Sequence, residues 1–174
     1  MQKYDIHGKG IPKLINADLL KEHLKSMATK EMYEMSKKIR RTGEPNPDAT
    51  HAVNTSNAEI PKNYRFELIP LLEKCFPNLT FLMAGYFLYG PGDGIDEHTN
   101  SNDPSDVLYI TYATGESSFS YRYSQDEELI KTEDAKDDIT LRAFTLTSKP
   151  PYFYHKVDCK SGYRISIGLR YAQL

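Results

Sequence analysis

Leu19, Leu20, His23, Leu24, Met27 and Met35 recur at helical spacing, which predicts a helix from an Asn16 N-cap, with Asp18 in its first turn, through Lys38. An extended lead-in, Ile11 to Ile15, precedes it. Ile60-Pro61 opens a second helix, with Pro61 near its first position. Its apolar face is Tyr64, Leu68, Leu71, Leu72 and Cys75, and Phe76-Pro77-Asn78 stops it. Between the two helices, Arg41 to Asn57 is a long polar loop rich in Pro, Asn, Ser and Thr.

From Leu79 the period changes from helical to alternating. Leu79 to Tyr89 predicts a long strand with a bend at Gly85, and Gly90-Pro-Gly-Asp-Gly94 a turn. Ile95 to Thr99 is a short extended piece, and Asn100 to Ser105 a polar loop. Val107–Ala113 and Ser118–Tyr123 form a hairpin around Thr114-Gly115. The acidic run Gln125 to Asp138 is a solvated excursion with a weak strand at Leu129 to Thr132. Ile139–Leu146, Tyr152–Val157 and Tyr163–Leu169 are the last strands. Two helices and about seven strands with short turns predict a mostly β, α+β barrel or jelly roll.

Composition narrows the class. At 174 residues the chain is long enough for one domain with a sizeable core and short for two. A net charge of -2 argues against a chain-wide field for nucleic acid or anionic membrane. No stretch has transmembrane length, and the first residues lack a signal-peptide core. Cys75 and Cys159 form no CxxC and are expected as free thiols of a cytoplasmic protein. His7, His23 and His51 have no partner pattern and are expected to be non-ligands.

Two segments carry candidate chemistry. In the last strand Arg164, Ser166, Gly168 and Arg170 share one face, while Ile165, Ile167 and Leu169 point into the core. Two guanidiniums and a hydroxyl make a cradle for a dicarboxylate. The same strand also fits a plain surface strand with two solvated arginines. The other segment is Tyr89-Gly-Pro-Gly-Asp-Gly-Ile-Asp-Glu-His98-Thr-Asn100. Residues two apart share a strand face, so His98 and Asn100 reach one point. With His155 they approximate the two-histidine, one-carboxylate set that holds non-haem Fe(II) with open positions.

From about Tyr86 to Tyr171 the chain resembles the Fe(II)/2-oxoglutarate-dependent dioxygenases, most closely those of AlkB type. The resemblance rests on Tyr89-Gly90-Pro91-Gly92, His98, His155 and Arg164-Ile-Ser166-Ile-Gly-Leu-Arg170. It implies a double-stranded β-helix with N-terminal supporting helices, and Fe(II) held by His98, Asn100 and His155. It also implies 2-oxoglutarate held by Arg164, Arg170 and Tyr89, beside Ser166. Oxygen would be the second co-substrate. The prime substrate, a nucleobase, a small molecule or a protein side chain, would be hydroxylated or demethylated. One departure stands out: the family has Asp or Glu where this chain has Asn100. Asn100 ligates as a neutral oxygen, or Asp96 (on the strand face of His98) or Asp103 substitutes, or the site has lost iron and the chain is a binding module. A jelly-roll structural protein, with the arginines as surface charge, is the third functional class. The loops Arg41–Asn57 and Asn100–Ser105 are the expected substrate rim.

Overall fold

The computed structural model describes residues 1–43 and 54–173. In chain order the elements are β1 (Gln2–Asp5), α1 (Ala17–Met27), α2 (Lys30–Met35), β2 (Lys37–Arg41), β3 (Thr55–Glu59), α3 (Lys62–Phe66) and α4 (Leu68–Cys75). They continue as β4 (Leu79–Tyr89), β5 (Gly94–His98), β6 (Ser105–Ala113), β7 (Ser117–Arg122), β8 (Ile130–Glu133), β9 (Ile139–Leu146), β10 (Tyr154–Cys159) and β11 (Arg164–Gln173). The fold is a double-stranded β-helix, mostly β, with the helices packed against it. Among the described residues no helix is long and apolar enough to cross a membrane.

The single helix expected through Lys38 is two helices and the start of a strand. Thr29 accepts a hydrogen bond from the Met32 amide at 3.1 Å and caps a new helix, so the Leu and Met spacing runs across a break. Asn16 does precede α1, but in the left-handed region (φ 53), and its side chain makes no cap; Nδ2 instead donates to the Lys74 carbonyl at 3.1 Å. The polar segment Arg41 to Asn57 also differs from expectation. Its described ends belong to the β2–β3 hairpin, in which Ile39 faces Asn57, while residues 44–53 lie outside the described residues, and with them His51. β1 runs parallel to β9, a pairing with no local signal. The strand expected at Leu129 to Thr132 forms as β8, one residue later.

The strands lie in the order β1-β9-β6-β11-β4-β3-β5-β10-β7-β8, with β2 paired to β3. Two neighbourhoods matter for the site. β11 lies between β4 and β6, so Arg164 faces Tyr89 on one side and Ala113 on the other. β10 lies between β5 and β7, and His155 is the direct partner of His98. Ile165, Ile167 and Leu169 join Leu20, Leu24, Leu68 and Leu72 in a core between helices and sheet, all fully buried. Each such side chain contributes about 1.5–3 kcal/mol of transfer free energy. A second, aromatic cluster of Tyr89, Phe119, Phe144 and Phe153 with Val107 and Val157 lies on the opposite side of the strands. It packs around the histidines: Phe119 and Phe153 stack on the His155 ring at centroid distances of 5.7 and 5.4 Å. Cys75 and Cys159 are buried free thiols.

Candidate functional site

A cavity of about 290 Å³ opens within the sheet. Tyr89, His98, Asn100, His155, Ser166 and Arg170 all line it, so six of the residues singled out above meet in one place. Arg164, Asp96 and Asp103 do not.

Strand pairing brings the histidines together. The rings of His98 and His155 lie 4.2 Å apart, centroid to centroid. Each anchors Nδ1 on the backbone carbonyl two residues earlier: His98 on Asp96 at 2.8 Å and His155 on Phe153 at 3.2 Å. A carbonyl only accepts, so the ring proton sits on Nδ1 and Nε2 keeps its lone pair, the form that binds metal. Burial, and then the neighbouring His98, push the His155 pKa well below 6.5, which keeps it neutral. Asn100 follows in the left-handed region (φ 51), which an Asn tolerates, and its Nδ2 lies 3.3 Å from His155 Nε2.

The carboxylates offered as substitutes for Asn100 are placed elsewhere. Simple alternation put Asp96 on the face of His98. A bulge changes that: His98 faces His155 and Ile95 faces Val157, so Asp96 and Glu97 together oppose Lys156 alone. Ile95 and His98 therefore share the cavity, while Asp96 is exposed and accepts from Asn54 Nδ2 at 2.6 Å. Glu97 pairs with Arg122 at 2.5 and 2.8 Å. Asp103 lies 2.6 Å from Arg170, whose Nε also donates to Ser105 Oγ at 3.0 Å. Among the described residues, no three of His, Cys, Asp and Glu come together as a metal-binding group.

Ser166, Gly168 and Arg170 line the cavity from one face of β11, as alternation requires. Arg164 takes a different role from the open cradle expected of it. It is fully buried, donates to Asp134 Oδ2 at 2.8 Å and to Thr111 at 3.3 Å, and faces the Tyr89 ring at 5.2 Å. Asp134, from the acidic run expected to be solvated, also receives Arg142 at 2.6 Å and Ser117 at 2.5 Å. Burial would raise the Asp134 pKa, but Arg164 and Arg142 outweigh it and hold it down at about 2. Two buried guanidiniums thus share one carboxylate, and among the described residues Arg164 Nη1 has no hydrogen-bond partner. His7 and His23 bond elsewhere, to the Thr145 amide and the Tyr86 hydroxyl.

The donor set fits a divalent metal ion in its two imidazoles and in an amide that reaches the same point. It supplies no carboxylate to offset the charge. The arginine cluster fits an added carboxylate, since among the described residues it carries one uncompensated positive charge and an unpaired N–H.

Acid should act on this site in two steps. The buried His155 resists protonation, so its cost begins as pH falls below 6.5, the unfolded value. The Asp134 contribution is intact above 3.8 and is lost as pH falls toward about 2. Unfolding curves collected from pH 7.5 to 2.5 should show stability declining from pH 6.5 and a further loss below pH 4. A flat profile between pH 7 and 5 would contradict a neutral, buried His155.

No family model matches the chain, and no curated protein sequence matches it. Solved structures do. A Pseudomonas putida prolyl-4-hydroxylase aligns with a TM-score of 0.52 at 12% identity, over 94% of this chain and 91% of that one. A 2OG-Fe(II) oxygenase family oxidoreductase from Burkholderia pseudomallei aligns at 0.44 and 12%, over 79% of this chain and 65% of that one. The Drosophila melanogaster CENP-C cupin domain aligns at 0.36 and 11%, over 87% and 92%. At such identities only the first alignment carries weight, and it speaks to architecture. What this chain shares with that prolyl-4-hydroxylase is the fold, over nearly its whole length.

Proposed function

We propose that the chain is an Fe(II)- and 2-oxoglutarate-dependent dioxygenase of AlkB-like type. The observation that carries this reading is the pair of Nδ1-anchored imidazoles, from adjacent strands, facing one cavity. His98, His155 and Asn100 would hold the metal. Arg164, Tyr89, Ser166 and Arg170 would hold the co-substrate, the last three from the cavity wall and Arg164 through its charge, from its buried place beside the Tyr89 ring. Bound Fe(II), with 2-oxoglutarate and oxygen, supplies oxidation of a C–H bond coupled to decarboxylation of the co-substrate to succinate.

The protein's share is placement and charge. The backbone carbonyls of Asp96 and Phe153 fix the ring planes of the two histidines. The Arg142–Asp134 pair fixes the plane of the Arg164 guanidinium, so the position of that charge is already ordered before a ligand arrives. The aromatic cluster of Phe119, Phe144 and Phe153 keeps the His155 side dry. Hydroxylation, or demethylation of an N-methyl group, of a nucleobase, a small molecule or a protein side chain would follow from this chemistry.

A second reading has its own support. Asn100 is neutral, and Asp134 already occupies Arg164. Both suit a catalytically inactive binding module on the same fold. Anaerobic titration separates the two. Fe(II) followed by 2-oxoglutarate should produce a weak visible charge-transfer band that neither gives alone. Absence of the band together with no calorimetric heat for either component would leave the binding module.

A further inference from the structure

The oxygenase reading leaves Asn57, a buried polar group of the cavity, without a role. Asn57, on β3, is 2% exposed and lines the cavity. Its backbone carbonyl accepts from Arg40 Nη1 at 3.0 Å. Asn57 Oδ1 nevertheless is buried with no hydrogen-bond partner among the described residues. An unpaired buried amide oxygen is destabilising, and folded chains keep few of them. 2-Oxoglutarate leaves it unpaired, because carboxylates and a ketone only accept at neutral pH. The missing partner is a donor.

The same cavity has an apolar shelf. Gly85 and Gly168 are direct partners between β4 and β11, and both line it. A Cβ on Gly85 would come within 2.5 Å of the Phe87 ring, and one on Gly168 within 2.9 Å of the Tyr109 ring. The paired glycines thus let two aromatic rings lie close over bare backbone, and both rings also line the cavity. Tyr109 is held edge-on by Phe119 and Phe144, at 5.7 and 4.9 Å. A shelf of this kind suits a flat ring better than a branched chain.

We propose that the cavity takes a planar cyclic molecule bearing an N–H or O–H donor. Asn57 Oδ1 accepts that hydrogen bond, and Phe87 and Tyr109 pack against the ring. Describing this molecule as the prime substrate rests on the oxygenase reading; its binding does not.

A matched pair of lactams tests the idea on the full chain without metal. 2-Pyridone offers a ring N–H, and N-methyl-2-pyridone has the same ring without it. Both are titrated by ligand-observed NMR and by ¹H–¹⁵N shifts. 2-Pyridone should bind about tenfold tighter, the worth of one hydrogen bond. Asn57→Leu should erase that preference and leave N-methyl-2-pyridone binding as it was. In the unsubstituted protein the Asn57 side-chain amide resonances should move with 2-pyridone far more than with its methylated partner, a readout that holds if the leucine variant does not fold. Equal binding of the two lactams, or binding of neither, overturns the proposal. Calorimetry with Mn(II) and 2-oxoglutarate runs in parallel. Loss of 2-oxoglutarate binding in Asn57→Leu would assign the amide to the co-substrate and also overturn it. If the unsubstituted chain ignores 2-oxoglutarate but keeps its lactam preference, the donor site stands and the oxygenase reading falls.

Discussion

An Asp134→Ala chain is expected to lose about 3–5 kcal/mol of stability, the usual cost of removing one partner from a buried ion pair. The native total for a domain is only about 5–15 kcal/mol, so many such molecules would be unfolded at 37 °C. The reason is specific to this cluster. Arg142 and Arg164 are both fully buried, and Asp134 is the carboxylate with which both pair. Without it two guanidiniums remain in a low dielectric with no counter-charge, and Arg142 keeps only its bonds to Thr132. Asp134→Asn keeps the size and part of the hydrogen bonding, so it should fall between wild type and alanine. Urea unfolding of the three chains gives the comparison. An alanine variant within about 1 kcal/mol of wild type, the range of an ordinary substitution, would mean that the cluster does not hold the barrel together.

His98→Ala and His155→Ala should each lower Mn(II) affinity by more than about 100-fold, beyond the 10–100-fold that loss of an outer partner typically causes. Neither change removes a backbone–backbone hydrogen bond, since the backbone contact of each ring is made by its Nδ1 to a carbonyl on its own strand or the segment before it. Circular dichroism should therefore stay unchanged. Asn100→Asp works in the opposite direction. It swaps a neutral oxygen for a charged one at constant size, and aspartate accepts a φ of 51 nearly as well as asparagine does. A charge-assisted contact in place of a neutral one should tighten binding about tenfold. Asp96→Asn and Asp103→Asn should stay within about tenfold of wild type, because one carboxylate is exposed on Asn54 and the other pairs with Arg170. Affinities are compared at one pH, since ligand protonation is coupled to binding. Loss of binding in Asp103→Asn would show that the third ligand has been named wrongly. Normal binding in either histidine variant would remove the imidazole pair from the site.

What the sequence determined by itself was local and periodic. Alternation along Arg164 to Arg170 is a property of a single strand, so it correctly placed Ile165, Ile167 and Leu169 in the core and Ser166, Gly168 and Arg170 in the cavity. The spacing of His98 and Asn100, after a glycine turn, likewise survives folding. Tertiary structure decided whatever depends on a neighbour far along the chain. One extra residue opposite Lys156 turned Asp96 out of the site, and a bulge leaves no mark in the alternation of the strand that holds it. Asp134 sat in an acidic run that composition assigns to solvent, yet it closes on Arg142 and Arg164 because the sheet carries those two guanidiniums into a space where only a carboxylate makes their burial tolerable. Asn57 belonged to a polar stretch with no periodic signal, and it reaches the cavity only because β3 is drawn in between β4 and β5. Periodicity tells which side of a strand a residue takes, whereas the group it meets there depends on strand order and register, which are set by contacts tens of residues away.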